Sequence, residues 1–176
     1  MIDNIAGGAA YVSGIVGQAV AIPDTLAGSN RLTATTSPDL NLGADWTNEA
    51  FVYRDANNPT NAEWERVWTK WGEGGNEWHT AFRGNSGAPI PDGLDLFANG
   101  AQVLNHNTTS MSAPTEQWFH LAYVGSQAAN TITAWINGVE VGMAPTVTTS
   151  MTTTAAMCAT SSMSRTPAQF PSSPCA

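Results

Sequence analysis

The 176-residue chain is long enough for one domain with a sizeable core, and 42% of it is hydrophobic while only 11% is charged. Fourteen acidic residues against six basic ones give a net charge of −8, which repels phosphate backbones and anionic bilayer surfaces and argues against nucleic acid as a partner. No apolar run reaches the roughly 20 residues that span a bilayer, so no membrane insertion is expected.

The N-terminal stretch IAGGAAYVSGIVGQAVAI has no basic residue before it and is broken by glycines, so a signal peptide is not expected. Helical periodicity is nearly absent. Short runs that alternate apolar and polar residues recur instead between Gly, Pro and Asn. They predict strands near Gln18–Ile22, Arg31–Thr36, Trp46–Tyr53, Glu63–Trp71, Glu77–Arg83, Leu94–Ala98, Gln102–Asn105, Trp118–Val124, Thr131–Ile136 and Val139–Met143. Two Asn-Gly pairs, Asn99-Gly100 and Asn137-Gly138, separate such runs. Both residue types tolerate the positive φ of a type I′ hairpin, so each pair predicts a tight turn. Around the second, Thr131, Thr133 and Trp135 share one face and Ile132, Ala134 and Ile136 the other. Many short strands of this spacing imply an all-β, two-sheet antiparallel sandwich or a barrel. After Ala144 the chain becomes rich in Ser, Thr, Ala and Pro. A strand through Val147–Thr154 is compatible with its threonines. Residues 1–155 are expected to form the domain, and 156–176 an irregular tail. Cys158 and Cys175 both fall near that tail; whether they pair is open, and nothing else suggests a disulfide framework.

Several residues carry candidate chemistry. Seven tryptophans is a high number for this length. Trp64, Trp68, Trp71 and Trp78 cluster in sequence and are candidate ligand-binding residues, since aromatic rings stack on the apolar faces of sugars. Burial between two sheets is the competing reading of the same cluster, and the size of Trp favours it. His79, His106 and His120 have no ligand-like spacing among themselves or with cysteine. No nucleophile elbow, phosphate loop or Cys-His pair occurs. No cofactor is expected. Calcium is the one ion the loops could serve, with Asp55, Asn57 and Glu73 as oxygen donors in RDANNPTN and GEGGNE. No fixed calcium-loop spacing is present, and Asn-rich turns are common without metal.

The order of features in YVSGIVGQAVAI, LNLGADWTNEAFVYR, WERVWTKWG and EQWFHLAYVGSQAANTITAWINGVEVG resembles the laminin-G-like, concanavalin-A-like lectin and glucanase jelly rolls. The resemblance is carried by Gly14, Gly17 and Ala19 and, most clearly, by Trp118, His120, Ala122, Trp135, Asn137 and Gly138. It runs from Tyr11 to Met143. It implies two packed antiparallel sheets, with Trp118 and Trp135 in the core and His120 a hydrogen-bonded strand residue. It also raises the prospect of calcium at the loop rim. The family's hydrolases use a Glu-x-Asp-x-Glu-like strand. Here Glu63 and Glu65 are followed by Val67, and although a strand would set the two carboxylates about 6.6 Å apart, within reach of the separations glycosidases use, a solvated sheet face explains them better. No enzymatic activity is therefore expected.

The resemblance implies a binding or adhesion module for a glycan or protein surface, at an extracellular or virion surface. A structural decoration or fibre component of a bacteriophage or virus particle is the alternative. The family's usual first strand and its final apolar strand have no obvious counterparts, so the sandwich is expected to have open edges and to self-associate or join a larger assembly.

Overall fold

The computed structural model describes residues 2–6, 9–22, 31–34, 45–55, 64–70, 78–83, 93–98, 101–105, 109–145 and 157–160. Among these the chain forms thirteen strands and no helix: β1 (Ile2–Ala6), β2 (Ala10–Ser13), β3 (Gln18–Ala21), β4 (Arg31–Ala34), β5 (Asp45–Tyr53), β6 (Trp64–Lys70), β7 (Trp78–Arg83), β8 (Gly93–Ala98), β9 (Ala101–Leu104), β10 (Trp118–Ser126), β11 (Thr131–Ile136), β12 (Val139–Pro145) and β13 (Met157–Thr160). They make a seven-stranded sheet in the order β1-β4-β13-β6-β7-β8-β9, a four-stranded sheet in the order β12-β11-β10-β5, and a separate hairpin of β2 and β3. Every pairing is antiparallel. The two large sheets pack face to face as the expected jelly-roll sandwich.

Alternation decides what lies between the sheets. Phe119, Leu121 and Tyr123 of β10 and Ile132, Ala134 and Ile136 of β11 point inward and are buried. They meet Phe82 of β7, Leu94 and Leu96 of β8 and Leu104 of β9 in one core cluster. Each of the leucine, isoleucine and phenylalanine side chains contributes on the order of 1.5–3 kcal/mol on burial. Phe82 and Phe119 touch edge to face across the sheets, with ring centroids 5.9 Å apart. On β5 the exposure alternates without a break, Trp46, Asn48, Ala50 and Val52 turning inward while Asp45, Thr47, Glu49, Phe51 and Tyr53 face solvent.

The turn between β11 and β12 has Asn137 at φ +50° and Gly138 at φ +77°, the two positive values a type I′ hairpin requires. Asn137 also ties the turn to β10: its Oδ1 accepts from the His120 N–H, and its own N–H donates to the His120 carbonyl, both at 2.9 Å. β8 and β9 pair with Ala98 opposite Ala101, as the first Asn-Gly pair predicts, although Asn99 and Gly100 themselves lie outside the described residues.

Three strands were not foreseen. β1 (IDNIA) and β2 (AYVS) are short runs without a clear apolar–polar alternation, on either side of Gly7 and Gly8. The third corrects the expectation of an irregular segment from Met157: Met157–Thr160 form β13, paired with β4 on one side and with Thr69 and Lys70 of β6 on the other. Its residues carry no period of their own. Hydrogen bonding on both flanks, to strands remote in sequence, is what makes them a strand. Residues 161–176 and the possible strand at Val147–Thr154 lie outside the described residues, as does Cys175.

Candidate functional site

Among the described residues, the outer face of the four-stranded sheet gathers exposed aromatic side chains. Its geometry follows from register. Trp118 stands opposite Tyr53, His120 opposite Phe51, Ala122 opposite Glu49 and Val124 opposite Thr47. On the other side of β10, Ala122 faces Trp135 and Val124 faces Thr133. Because strands lie about 4.8 Å apart and same-face residues repeat about every 6.8 Å, these rows form a regular grid.

Two rows of the grid are aromatic pairs. Tyr53 and Trp118 meet edge to face at 5.7 Å between centroids. Phe51 and His120 meet at 5.3 Å with a tilt of 56°. In the next row Trp135 is half-buried beside the small Ala122. Phe51 is 51% exposed and Tyr53 48%, with Trp118 and His120 half-buried between strands. The result is a solvent-facing aromatic strip across β5, β10 and β11. Glu49, beside it, places a carboxylate oxygen 3.3 Å from His120 Nε2. Hydrogen-bonding groups thus alternate with ring faces on a surface whose backbone is held by hydrogen bonds.

This arrangement corrects the expectation that Trp118 and Trp135 are core. Their strands bury the opposite parity. Both faces of WFHLAYV carry large apolar groups, so alternation separates the faces without telling which one turns inward. The closed cluster of Phe119, Leu121, Tyr123, Ile132 and Ile136 with the facing sheet settles it.

The tryptophans that the sequence singles out as ligand-binding fall elsewhere. Trp78 is 1% exposed and sits in the core beside Ala98, so it offers no face to a solvent-borne ligand. Trp68 is partly buried against both core clusters and meets Tyr123 edge to face at 6.2 Å. Trp64 begins β6, and Trp71 lies outside the described residues. Of the calcium candidates, Asp55 is exposed just beyond β5, while Asn57 and Glu73 lie outside the described residues. Among the described residues no group of three or more His, Cys, Asp and Glu could hold a metal ion.

Glu65 is engaged rather than poised. Its carboxylate lies 2.6 Å from Nε of Arg54. Arg54 is buried, stands 4.4 Å above the Phe82 ring and donates weakly to the Ala113 carbonyl at 3.4 Å. This is a structural ion pair joining the two sheets. Glu63 lies outside the described residues.

A second polar group occupies the face of the seven-stranded sheet turned away from the core. His79 stacks on Phe97 at 4.8 Å with 13° between the rings, and Asp95 accepts from Gln102 at 2.5 Å. His79 and Asp95 are both buried. Burial, aided by the Arg66 guanidinium, pushes the His79 pKa down to about 3, so its imidazole is neutral at ordinary pH. Closed from solvent, this group is less suited to meeting a large ligand than the open aromatic strip.

The sequence pattern described as the Concanavalin A-like lectin/glucanases superfamily matches residues 26–170 of the chain. Among solved structures the chain is similar to domain 4 of AbnA, an extracellular arabinanase from Geobacillus stearothermophilus, in complex with arabinotriose. The TM-score is 0.62 at 19% sequence identity, with 89% of this chain and 68% of that chain covered. It is also similar to the native heptameric SAP-like pentraxin of Limulus polyphemus, with a TM-score of 0.51 at 14% identity over 73% of this chain and 56% of that one. At these identities the likeness is one of fold. No curated protein matches the chain in sequence.

Proposed function

We propose, from the premise that the chain belongs to the Concanavalin A-like lectin/glucanases superfamily, that it is a non-catalytic module that binds a glycan on the outer face of β5, β10 and β11. One observation carries the reading: Tyr53 with Trp118, and Phe51 with His120, form adjacent aromatic pairs facing solvent on a rigid sheet. The C–H faces of a sugar ring are weakly positive at their edges and apolar overall, so they stack on the negative π-faces of such rings. Fixed rings lose little freedom when a ligand settles on them, which favours binding by the sheet over binding by a loop. The sugar-complexed arabinanase domain of similar fold makes arabinan a natural first ligand to try.

A non-catalytic role is supported by Glu65, whose carboxylate is held by Arg54, away from the aromatic strip. Contact through a few rings gives modest affinity, so display in several copies on an extracellular or virion surface would supply avidity. Self-association fits the long β5 strand, which among the described residues is paired on one side only.

The test is binding to an array of neutral polysaccharides and oligosaccharides, including arabinotriose, followed by affinity electrophoresis. Trp118→Ala and Tyr53→Ala are expected to weaken retention about tenfold or more, with circular dichroism showing a retained fold. Unchanged retention by both variants, or silence of the native protein on every glycan, refutes the proposal. Hydrolysis that Glu65→Gln abolishes in a folded variant would refute its non-catalytic part.

A further inference from the structure

The charge around the aromatic strip is one-sided. Of the six basic residues, Arg31, Arg66, Lys70 and Arg83 stand on β4, β6 and β7 of the seven-stranded sheet. Arg54 is buried against Glu65, and Arg165 lies outside the described residues. The strands β5, β10, β11 and β12 contain no Lys or Arg at all.

Carboxylates surround the same strip. Glu49 lies within it, its side chain 64% exposed. Glu140 is exposed opposite Trp135. Asp55 and Glu116 are exposed at the end marked by Tyr53 and Trp118, where the Glu116 N–H donates to the Arg54 carbonyl at 2.6 Å. Asp45 closes the far end, accepting from the Gln127 N–H at 3.0 Å. Every part of the strip is therefore within a few grid rows of a carboxylate, and among the described residues His120 is the one side chain on this face able to carry positive charge.

We infer that this face selects uncharged sugar chains and rejects anionic ones, such as those bearing uronic acid or sulfate groups. The inference rests on the glycan reading above and adds the ligand's chemical class to it. Anionic glycans are held by fixed cations, chiefly arginine forks and lysine ammonium groups that meet carboxylate or sulfate oxygens. Among the described residues this face supplies none, and an anionic chain lying along it would bring like charges together at the separations of the strand grid. The attraction that remains, ring stacking with sugar hydroxyls donating to the Glu49 carboxylate and hydrogen-bonding to the His120 imidazole, needs hydroxyl groups and C–H faces, which a neutral sugar provides. A second copy of this chain is disfavoured as occupant for the same reason, since an acidic rim would meet an acidic rim.

The test compares one backbone in two charge forms: a neutral β-glucan and its carboxymethyl derivative, with arabinan and carboxymethyl arabinan as a second pair. Binding of the intact protein is measured by affinity electrophoresis and titration calorimetry at about 0.01 M and about 1 M salt, where the screening length is roughly 30 Å and 3 Å. The neutral form should bind about tenfold more tightly than the carboxymethyl form at low salt, and the gap should close at high salt. The double variant Asp55→Lys with Glu140→Lys should narrow the gap at low salt by raising affinity for the carboxymethyl form. Equal or tighter binding of the carboxymethyl form by the native protein at low salt, with loss on Trp118→Ala, overturns the charge selectivity while leaving glycan binding in place. Binding of neither form of either backbone overturns both.

Discussion

Gly125 is where the platform's foundations are most exposed to a single methyl group. It lies on β10 directly opposite Trp46 of β5, and the Trp46 indole covers it. A Cβ added there would stand 2.8 Å from Trp46 Cζ2 and nearer still to Nε1 and Cε2. These are ring atoms of a side chain packed against both core clusters, so relief requires the indole to leave its place. Full truncation of a buried Trp costs about 3–5 kcal/mol, and displacement of a half-buried one forfeits roughly half of that, about 2 kcal/mol. Replacing a strand glycine by alanine returns about 0.5–1 kcal/mol. Gly125→Ala should therefore destabilise the protein by about 1–2 kcal/mol, within the range of overpacked cores. Urea unfolding followed by circular dichroism measures this at equilibrium. The decisive control is the cycle with Trp46→Ala: in that background Gly125→Ala should be neutral or stabilising, with a coupling of about 2 kcal/mol. A Gly125→Ala cost that is absent, or the same in both backgrounds, would refute the account of how β5 seats on β10. The aromatic strip depends on that seating, because the same register sets Tyr53 beside Trp118 and Phe51 beside His120.

Two further outcomes follow from other parts of the molecule. His79 has a folded-state pKa near 3 against about 6.5 when unfolded, so below pH 6.5 the unfolded state binds the extra proton and stability falls as pH falls. Its contribution is present in full above that range and about 2 kcal/mol smaller at pH 5 than at pH 8; urea midpoints should show His79→Gln losing correspondingly less over the same interval, and parallel pH profiles would contradict the burial. If the edge of β5 that is unpaired among the described residues is offered to a neighbour, light scattering should report dimers or larger species that grow with concentration, whereas a monodisperse monomer at all concentrations would remove self-association from the proposal.

The legible part of the fold was local. Asn137-Gly138 marks its hairpin because the two residue types have the φ preferences the turn demands, and the structure shows both at positive φ. Alternation located most strands and correctly divided β11 into one face with Thr131, Thr133 and Trp135 and another with Ile132, Ala134 and Ile136. The candidate site was much less legible. Clustering in sequence drew attention to Trp64–Trp78, yet Trp78 is buried in the core. The strip is assembled from Phe51, Tyr53, Trp118, His120 and Trp135, which are separated in the chain and become neighbours only through the pairing of β5, β10 and β11. One signal was available: in DWTNEAFVY, the residues sharing a face with Phe51 and Tyr53 are Asp45, Thr47 and Glu49, a polar set that marks this as the solvent side.

The amino-acid sequence by itself determined the strand class, the turns, the acidic balance and the absence of cations from four particular strands, because each of these is a property of short segments or of composition. Only the tertiary structure decided which face of β10 is buried, since WFHLAYV offers apolar groups on both sides and the choice is made by the facing sheet. It likewise decided that Met157–Thr160 is a strand, since four residues without a period become one only when β4 and β6 supply hydrogen bonds on either side. The aromatic strip and its acidic rim arise at that same level: strand register places on one surface residues that the chain keeps far apart.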